Sequence, residues 1–337
     1  MSRGRASIVV AGLSVLAVLA TGCSSGNDAG SAGLSGTVAV SGSSTVQPIS
    51  SLVAEEFSSA NPDVQISVNG PGTSDGFVLF CKGEIDINDA SRAIEPEEKQ
   101  VCKQNAVTWV ELPVAFDGIT MMTNPDNPAV TCLNTGDLYA LLGPESQGFK
   151  TWSDAATLDE EVDGTDKLPN LPLQITAPGQ ESGTYDAFID LAGIEDTALS
   201  RGVAEDKAAA LRPDYQASAN DNVIIQAMEG DPGALGFVGF AYAEQAASQI
   251  DIIQVDGGSG CVTPTRETIA DHSYPLSRTL YIYVNAARIA ENPALKAYVD
   301  LYMSETGIVS AVQQTGYVDL PSTQIEASRT AWSQASA

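Results

Sequence analysis

The stretch SGSSTVQP, residues 41–48, stands between two patterns that together indicate how this chain folds. Residues 37–40, TVAV, alternate and are rich in β-branched side chains, as is typical of a strand. Apolar residues then recur at helical spacing from 49 to 57, which predicts an amphipathic helix. Ser44 and Gln47 have the spacing of a capping box, so we expect the helix to begin within this stretch.

The start of such a helix has the chemistry of an anion site. Its first N–H groups have no partner inside the helix and lie at the positive end of the helix dipole. Small hydroxyl side chains around them can complete a site for an anion. One turn of this kind is also what an ordinary helix cap requires, so the prediction depends on the rest of the chain.

Polar turns of similar composition follow other strands further along. GPGTSDG (70–76) and APGQESGT (177–184) each lie between a predicted strand and a predicted helix, and NDASR (88–92) follows a short strand at 85–87. Strands that alternate with helices predict an α/β fold with a largely parallel sheet, in which ligands lie at the carboxyl ends of the strands. Because the turns have more hydroxyls than a cap uses, we expect them to surround a tetrahedral anion.

Two long apolar runs suggest how the chain is divided. The runs at 112–122 and 277–284 are interpreted as strands that cross between two lobes. A chain of 337 residues is long enough for two domains. We therefore predict lobe 1 at 37–115 and 280–337, and lobe 2 at 116–279.

Acidic residues dominate the charge. The chain has 43 Asp and Glu against 16 Lys and Arg, a net charge of −27. Loss of Arg3 and Arg5 with an export signal would bring the balance to 14 − 43 = −29. Such a surface repels nucleic acids and anionic membranes, so neither is expected as an electrostatic partner. An anion would have to be bound by local donors, because the overall field opposes it.

The N-terminus has the pattern of a bacterial export signal. Two arginines form a basic n-region, and the apolar stretch at 8–20 is too short for a convincing membrane span. ATGC at 20–23 resembles a lipobox, so residues 1–22 are predicted to be removed and Cys23 to carry lipid, including palmitate. Residues 23–36, rich in Ser, Gly and Ala, predict a flexible tether. We expect an extracytoplasmic protein held at the outer face of the cell membrane; an ordinary signal peptide with an incidental cysteine is the alternative.

Four further cysteines predict two disulfides, because an even number is typical of exported proteins. Three pairings are possible. We favour Cys81–Cys102 together with Cys132–Cys261, since each pair then lies within one predicted lobe. A zinc site is the alternative, but the chain has no C-x-x-C spacing and only one histidine. No metal or other cofactor is expected.

Five segments together carry a resemblance to a known family. They are VSGSSTVQPISSLVAEEF (40–57), GPGTSDGF (70–77), DINDASR (86–92), QESGTYDAF (180–188) and YPLSRTLYIYV (274–284).

Over nearly all of residues 37–320 the chain resembles PstS-type phosphate-binding lipoproteins. The resemblance implies a type II periplasmic-binding-protein fold, in which two α/β lobes are joined by two crossing strands and the anion lies in the cleft between them. It also implies a monomeric solute-binding component of a phosphate ABC importer. Such a protein is not an enzyme: it binds inorganic phosphate and delivers it to membrane permease subunits.

The resemblance further implies which residues contact the ligand. Ser44 and Thr45 match the family's first contacting pair, Thr73 its second-turn hydroxyl, and 182–184 its third-turn donors. With their neighbours, the predicted phosphate-binding residues are Ser44, Thr45, Thr73, Ser74, Ser91, Arg92, Ser182, Gly183 and Thr184.

The charged groups of the site are harder to assign from the resemblance. The best-known branch of the family has an aspartate where Ser91 stands and an arginine where Pro178 stands, and this chain has neither. Arg92, beside Ser91, is therefore the predicted cation, because charge-assisted hydrogen bonds are needed to hold the anion. The alternative for Arg92 is a surface salt bridge with Glu95 or Glu97.

A carboxylate could accept a proton of the ligand and so favour phosphate over sulfate. The predicted candidates are Asp75, Glu181 and Asp89, each of which could equally be an ordinary solvated carboxylate.

Two other functions stay open at this point. The ligand could be another oxyanion, such as sulfate or molybdate. In addition, GTSDG at 72–76 fits the G-x-S-x-G elbow of serine hydrolases, with Ser74, Asp251 and His272 in the chain order of a triad. The hydrolase interpretation leaves the other polar turns unexplained.

Overall fold

The computed structural model describes residues 33–337 apart from positions 128, 166, 167 and 181. The predicted signal peptide, Cys23 and Glu181 therefore lie outside the described residues. Within the described part, no helix is both long enough and apolar enough to cross a membrane.

The strands and helices alternate along much of the described chain. The strands are β1 (Gly36–Gly42), β2 (Val64–Asn69), β3 (Ile87–Ala90), β4 (Trp109–Thr123), β5 (Cys132–Asn134), β6 (Gln174–Ala177), β7 (Gln216–Ala217), β8 (Ala234–Gly239), β9 (Asp251–Asp256), β10 (Cys261–Val262) and β11 (Ser277–Asn285). The helices are α1 (Gln47–Ala60), α2 (Thr73–Phe80), α3 (Pro96–Gln104), α4 (Thr135–Leu142), α5 (Ala156–Glu161), α6 (Gly183–Leu191), α7 (Ile194–Ser200), α8 (Glu205–Ala208), α9 (Asp221–Gly230), α10 (Phe240–Gln245), α11 (Arg266–Ala270), α12 (Ala286–Glu291), α13 (Pro293–Tyr302), α14 (Ser310–Thr315) and α15 (Ser322–Ala335). Short 3₁₀ segments occur at Pro144–Ser146 and Trp152–Ala155, and a π-helical turn at Glu305–Val309.

The main sheet has the strand order β2-β1-β3-β11-β4-β8-β6-β7. β1 is parallel to β2 and β3 on one side, and β6 is parallel to β7 and β8 on the other. The central strands β11 and β4 run antiparallel to each other and to their neighbours β3 and β8. The predicted α/β class is confirmed, as a mixed sheet with parallel strands at its two ends.

Strand β4 belongs to both halves of this sheet. Its first part pairs with β11 from Trp109 to Gly118, and its last part, Ile119–Thr123, pairs with β8 and β9. One large apolar cluster packs around α1 and α13 on one half, and another packs around α4 and α6 on the other. The predicted crossing run at 112–122 thus lies within one long strand, whereas the lobe boundaries themselves stay a prediction.

The first helix begins later than the capping-box spacing predicts. Helix α1 starts at Gln47, and its cap position, Val46, receives no side-chain hydrogen bond. The turn before it is instead held by Ser43, whose Oγ accepts from the N–H groups of Thr45 and Val46 at 3.1 and 3.4 Å. The predicted capping box of Ser44 is therefore wrong, and this leaves the Ser44 hydroxyl available for other contacts.

Strand β3 also differs from its prediction. It spans Ile87–Ala90, so Asn88 and Asp89 lie within the strand and not in the turn after it. Successive side chains of a strand point to opposite faces, which directs these two residues to opposite sides of the sheet.

Both predicted disulfides are present. Cys81–Cys102 joins the end of α2 to α3, and Cys132–Cys261 joins β5 to β10. The thiols that a zinc site would need are therefore in disulfide bonds.

Candidate anion-binding site

A cavity of about 530 Å³ lies where the polar turns meet, and we call it the cleft. Its lining comes mainly from the first turn (43–45), the second turn (71–75), Ser91 and Arg92, residues of α6 and α7, and Arg278. Six of the nine predicted phosphate-binding residues lie on it: Ser44, Thr45, Thr73, Ser74, Ser91 and Arg92.

The first turn places two hydroxyls at the cleft, each already engaged with the chain. The Ser44 hydroxyl donates to Asp186 Oδ2 of α6 at 2.7 Å. The Thr45 hydroxyl donates to the carbonyl oxygen of Gly183 at 3.1 Å and accepts from Arg278 Nη2 at 2.9 Å. The Thr45 carbonyl oxygen accepts a hydrogen bond from Tyr317 Oη at 2.7 Å, which helps to hold the backbone of the first turn in place.

The second turn can lie close to β1 only because of its glycines. Gly72 has φ +119°, a conformation that side-chain-bearing residues rarely adopt. A Cβ on Gly76 would lie 2.6 Å from the Gly42 Cα, so the first turn of α2 could not approach the strand with any other residue. Thr73 then accepts from the Ser91 N–H at 3.1 Å, and the two hydroxyls are 3.0 Å apart. This pair supplies neutral hydrogen-bonding groups to the cleft.

Arg92 lines the cleft, but its guanidinium is already fully paired. It makes a bidentate ion pair with Glu98, with N···O distances of 2.8 and 2.9 Å, and an ion pair with Glu95 at 3.2 Å. It also donates to the Ala93 carbonyl and to Ser74 Oγ. The salt-bridge alternative predicted for Arg92 is thus present with Glu95, and Glu98 takes the place of Glu97.

The third turn lies differently from its prediction. Ser182 caps α6, its Oγ accepting from the Thr184 N–H at 3.2 Å, and a Cβ on Gly183 would lie 2.9 Å from the Thr45 backbone. Because the turn packs directly on the first turn, the residues 182–184 line a neighbouring cavity of about 630 Å³ that shares Ser44 with the cleft. The structure thus places Ser182, Gly183 and Thr184 beside the cleft and not in its lining.

The sequence did not single out Arg278, which enters the cleft from β11. Its side chain is only 10% exposed and forms ion pairs with Asp117 of β4 at 3.3 Å and with Asp190 of α6 at 3.2 Å. Burial raises the pKa of Asp117, and the positive charge of Arg278 opposes this rise. The sequence could have indicated this pair. An arginine within a predicted buried strand needs a buried partner, and Asp117 lies in the other predicted crossing strand.

The carboxylates near the cleft also differ from the predicted set. Asp75 lines the cleft and is exposed, whereas Asp186 and Asp190, which were not predicted, line it from α6.

Asp89 is not part of the lining: it is fully buried beneath α1, where its Oδ1 accepts from Ser50 Oγ at 2.9 Å. Burial raises the pKa of Asp89 to about 8, and its Oδ2 has no partner among the described residues. Asp89 is therefore placed away from any ligand in the cleft, as a consequence of the position of β3.

The residues of the hydrolase alternative are not brought together. Ser74 Oγ accepts from Arg92, and Asp251 opens β9. The His272 ring nitrogen instead lies 3.0 Å from the Thr279 hydroxyl, with its ring edge-on to Phe116. A nucleophile and its base must be within hydrogen-bond reach, so this geometry does not support a triad.

Comparison with known proteins agrees with this fold. A family model for a PBP superfamily domain matches residues 27–306. The chain is 37% identical over 287 residues to the protein SphX of Synechocystis sp., covering 85% of this chain and 79% of that protein. It is 31% identical over 300 residues to the phosphate-binding protein PstS of Staphylococcus saprophyticus, covering 89% and 85% of the two chains.

A solved structure is also similar throughout. The crystal structure of a possible phosphate binding protein from Planctomyces limnophilus shares 34% sequence identity, with a TM-score of 0.78, and covers 90% of this chain and 99% of its own. The chain thus belongs to the PBP superfamily of two-lobed binding proteins, and within it to the family of the PstS and SphX proteins.

Proposed function

We propose that this protein is an extracytoplasmic solute-binding protein that captures inorganic phosphate in the cleft and delivers it to the permease of an ABC importer. The observation that carries the proposal is the cleft itself, where hydroxyls from two turns and the guanidinium of Arg278 line one cavity. Relatives named as phosphate-binding proteins support the choice of ligand.

The donors of the cleft suit a tetrahedral oxyanion. Ser44, Thr45, Thr73 and Ser91 bring hydroxyls to the cleft, and those of Ser44 and Thr45 would turn from Asp186 and Gly183 to donate to a ligand. Hydrogen bonds to a charged ligand are stronger than those between neutral groups. The cleft also contains carboxylates, among them Asp75 and Asp186. A hydrogen phosphate can donate its proton to a carboxylate, whereas fully ionised sulfate can only accept, so the carboxylates favour phosphate over sulfate.

Binding involves no bond making or breaking. The ligand shifts an equilibrium between open and closed arrangements of the two lobes, because it contacts both sides of the cleft only when the lobes are closed. We place the hinge at the central strands β4 and β11, with lobe 1 at 37–115 and 280–337 and lobe 2 at 116–279. The protein acts as a monomer, held at the membrane by lipid on Cys23.

Calorimetric titration with phosphate, arsenate, sulfate and molybdate tests the ligand assignment. We expect phosphate and arsenate to bind with a dissociation constant of about 1 μM or lower, which corresponds to about −8 kcal/mol. Sulfate and molybdate should bind far more weakly. Absence of tight binding by all four anions would refute the receptor function, and sulfate binding as tight as phosphate would favour the broader oxyanion alternative.

The membrane attachment has its own test. Mass spectrometry of the protein from bacterial membranes should find a lipid-modified Cys23 at the N-terminus, and Cys23→Ser should release the protein into the soluble fraction. A mature chain that begins elsewhere and carries no lipid would support the ordinary signal peptide.

A further inference from the structure

We propose that Arg278 is the residue that recognises the negative charge of the ligand, and that Asp190 holds its guanidinium until the anion displaces it. The inference rests on the proposed function, since it assigns roles within the same cleft. It replaces Arg92, the cation predicted from the sequence, with a residue on the central strand β11.

Arg278 still has donors to offer a ligand. A guanidinium has five N–H groups. Within the described part of the chain, Arg278 uses one on each nitrogen: Nε to Asp117, Nη1 to Asp190 and Nη2 to Thr45. One N–H on each of the two terminal nitrogens therefore remains, which is the fork that binds a phosphate through two oxygens.

Arg92 has no such capacity. Its five N–H groups are matched by Glu95, by both oxygens of Glu98, by the Ala93 carbonyl and by Ser74 Oγ. Two carboxylates already outweigh its single positive charge. An anion that approached Arg92 would have to break a bidentate ion pair, which is a strong interaction.

The two carboxylates on Arg278 have different exposure. The side chain of Asp117 is 3% exposed and lies on the adjacent strand, so it holds the guanidinium in place from the core of the sheet. The side chain of Asp190 is 62% exposed, and exposed ion pairs of this kind contribute little to stability. An anion can therefore replace Asp190 on Nη1 at low cost, whereas replacing Asp117 would leave a buried charge without a partner.

The position of Arg278 connects the ligand to both sides of the cleft. Its guanidinium touches Thr45 of the first turn, before α1, and Asp190 on α6, while its backbone belongs to the central strand β11. An anion bound to its free N–H groups would thus lie between the first turn and α6.

Titration calorimetry with inorganic phosphate tests the assignment on the intact protein. Arg278→Gln should weaken phosphate binding by about 10- to 100-fold, the loss expected for charge-assisted hydrogen bonds. Arg266→Gln is the matched control, because Arg266 pairs with Glu244 outside the cleft and its loss should leave the affinity unchanged. A wild-type affinity in Arg278→Gln, or a larger loss in Arg92→Gln than in Arg278→Gln, would overturn the proposal.

Removal of Arg278 leaves Asp117 buried without its cation, so the single variant could fail to fold. The double variant Arg278→Gln with Asp117→Asn removes both charges together and should recover the circular dichroism of the wild type. It should still bind phosphate weakly. A folded double variant with wild-type affinity would equally overturn the proposal.

Removing the charge of Asp190 should have the opposite effect on phosphate affinity from removing that of Arg278. Asp190→Asn should bind phosphate about two- to fivefold more tightly, because the ligand no longer competes with a carboxylate for Nη1. Asp196→Asn removes the same charge from the lining of the cleft without a contact to Arg278, and should change the affinity less. Equal effects of the two variants would refute the displacement by the anion.

The same titrations separate this inference from the function on which it rests. If the wild type binds no phosphate, the proposed function fails. If the wild type binds phosphate and Arg278→Gln binds it equally well, the function stands and the role of Arg278 is refuted.

Discussion

The Thr45 hydroxyl donates a hydrogen bond of 3.1 Å to the Gly183 carbonyl oxygen, across 138 positions of the sequence. This bond joins the turn before α1 to the first turn of α6. The absence of a side chain at Gly183 makes the approach possible, since a Cβ there would lie 2.9 Å from both the N and Cα atoms of Thr45. The contact between the two turns is therefore as much a matter of steric fit as of hydrogen bonding.

Gly183→Ala should weaken phosphate binding because it separates these turns. Overpacking of a close contact typically costs about 1–3 kcal/mol, which we expect to appear mainly in the closed, ligand-bound state. Titration calorimetry measures the effect, and Gly230→Ala is the control, because a Cβ at Gly230 meets no atom within 4 Å. An unchanged affinity in Gly183→Ala would show that the two turns need not touch when the ligand binds.

Thr73→Val tests the hydroxyl pair of the second turn. Valine keeps the shape of threonine but removes the oxygen that accepts from the Ser91 N–H, so phosphate affinity should fall by about tenfold, equivalent to about 1.4 kcal/mol. Thr73→Ser keeps the hydroxyl and should retain most of the affinity. An unchanged affinity in Thr73→Val, or a loss in Thr73→Ser alone, would show that the site does not require this oxygen.

Asp89 should make the stability of the protein depend on pH. Its pKa is raised from 3.8 to about 8 by burial, so the folded state holds this proton more tightly than the unfolded chain does. Stability from this group is fully present below pH 3.8 and is lost as the pH rises to about 8, with a slope of at most about 1.4 kcal/mol per pH unit.

The variant Asp89→Asn isolates this effect. Urea unfolding of wild type and variant at about pH 5 and about pH 8 should show the wild type losing stability relative to the variant as the pH rises. A difference between the two proteins that does not change with pH would contradict the assignment.

The disulfide Cys132–Cys261 should contribute strongly to stability and little to binding. It connects residues 129 positions apart, and closing a loop of that length in the unfolded chain is worth about 3–5 kcal/mol. The bond joins β5 to β10, neither of which lines the cleft. Replacing both cysteines by serine should lower the urea midpoint while the phosphate affinity of the folded fraction stays the same; a parallel loss of affinity would show that this region supports the cleft.

The sequence predicts the class of the fold, both disulfides and most of the neutral groups of the cleft. These features depend on local patterns: alternation for the strands, helical spacing for α1, and turns that are rich in glycine and hydroxyls. The start of α1 was predicted wrongly, because the Ser43 hydroxyl, and not that of Ser44, accepts from the N–H groups just before the helix.

The charged groups were harder to predict, because their roles depend on tertiary contacts. Asp89, which was predicted to lie at the cleft, is buried because β3 extends to Ala90 and so includes it. A shift of one residue along a strand moves each side chain to the opposite face of the sheet. Arg92 is paired with Glu98, a residue in the first turn of α3. Arg278 meets Asp117 only because β11 and β4 lie side by side.

The crystal structure of the phosphate complex tests the central claim most directly. We predict a phosphate in the cleft with its oxygens within hydrogen-bond distance of Arg278, Thr45 and Thr73, and with Asp190 displaced from the Arg278 guanidinium. A phosphate bound against Arg92 with Arg278 still paired to Asp190, or bound outside the cleft, would contradict this account.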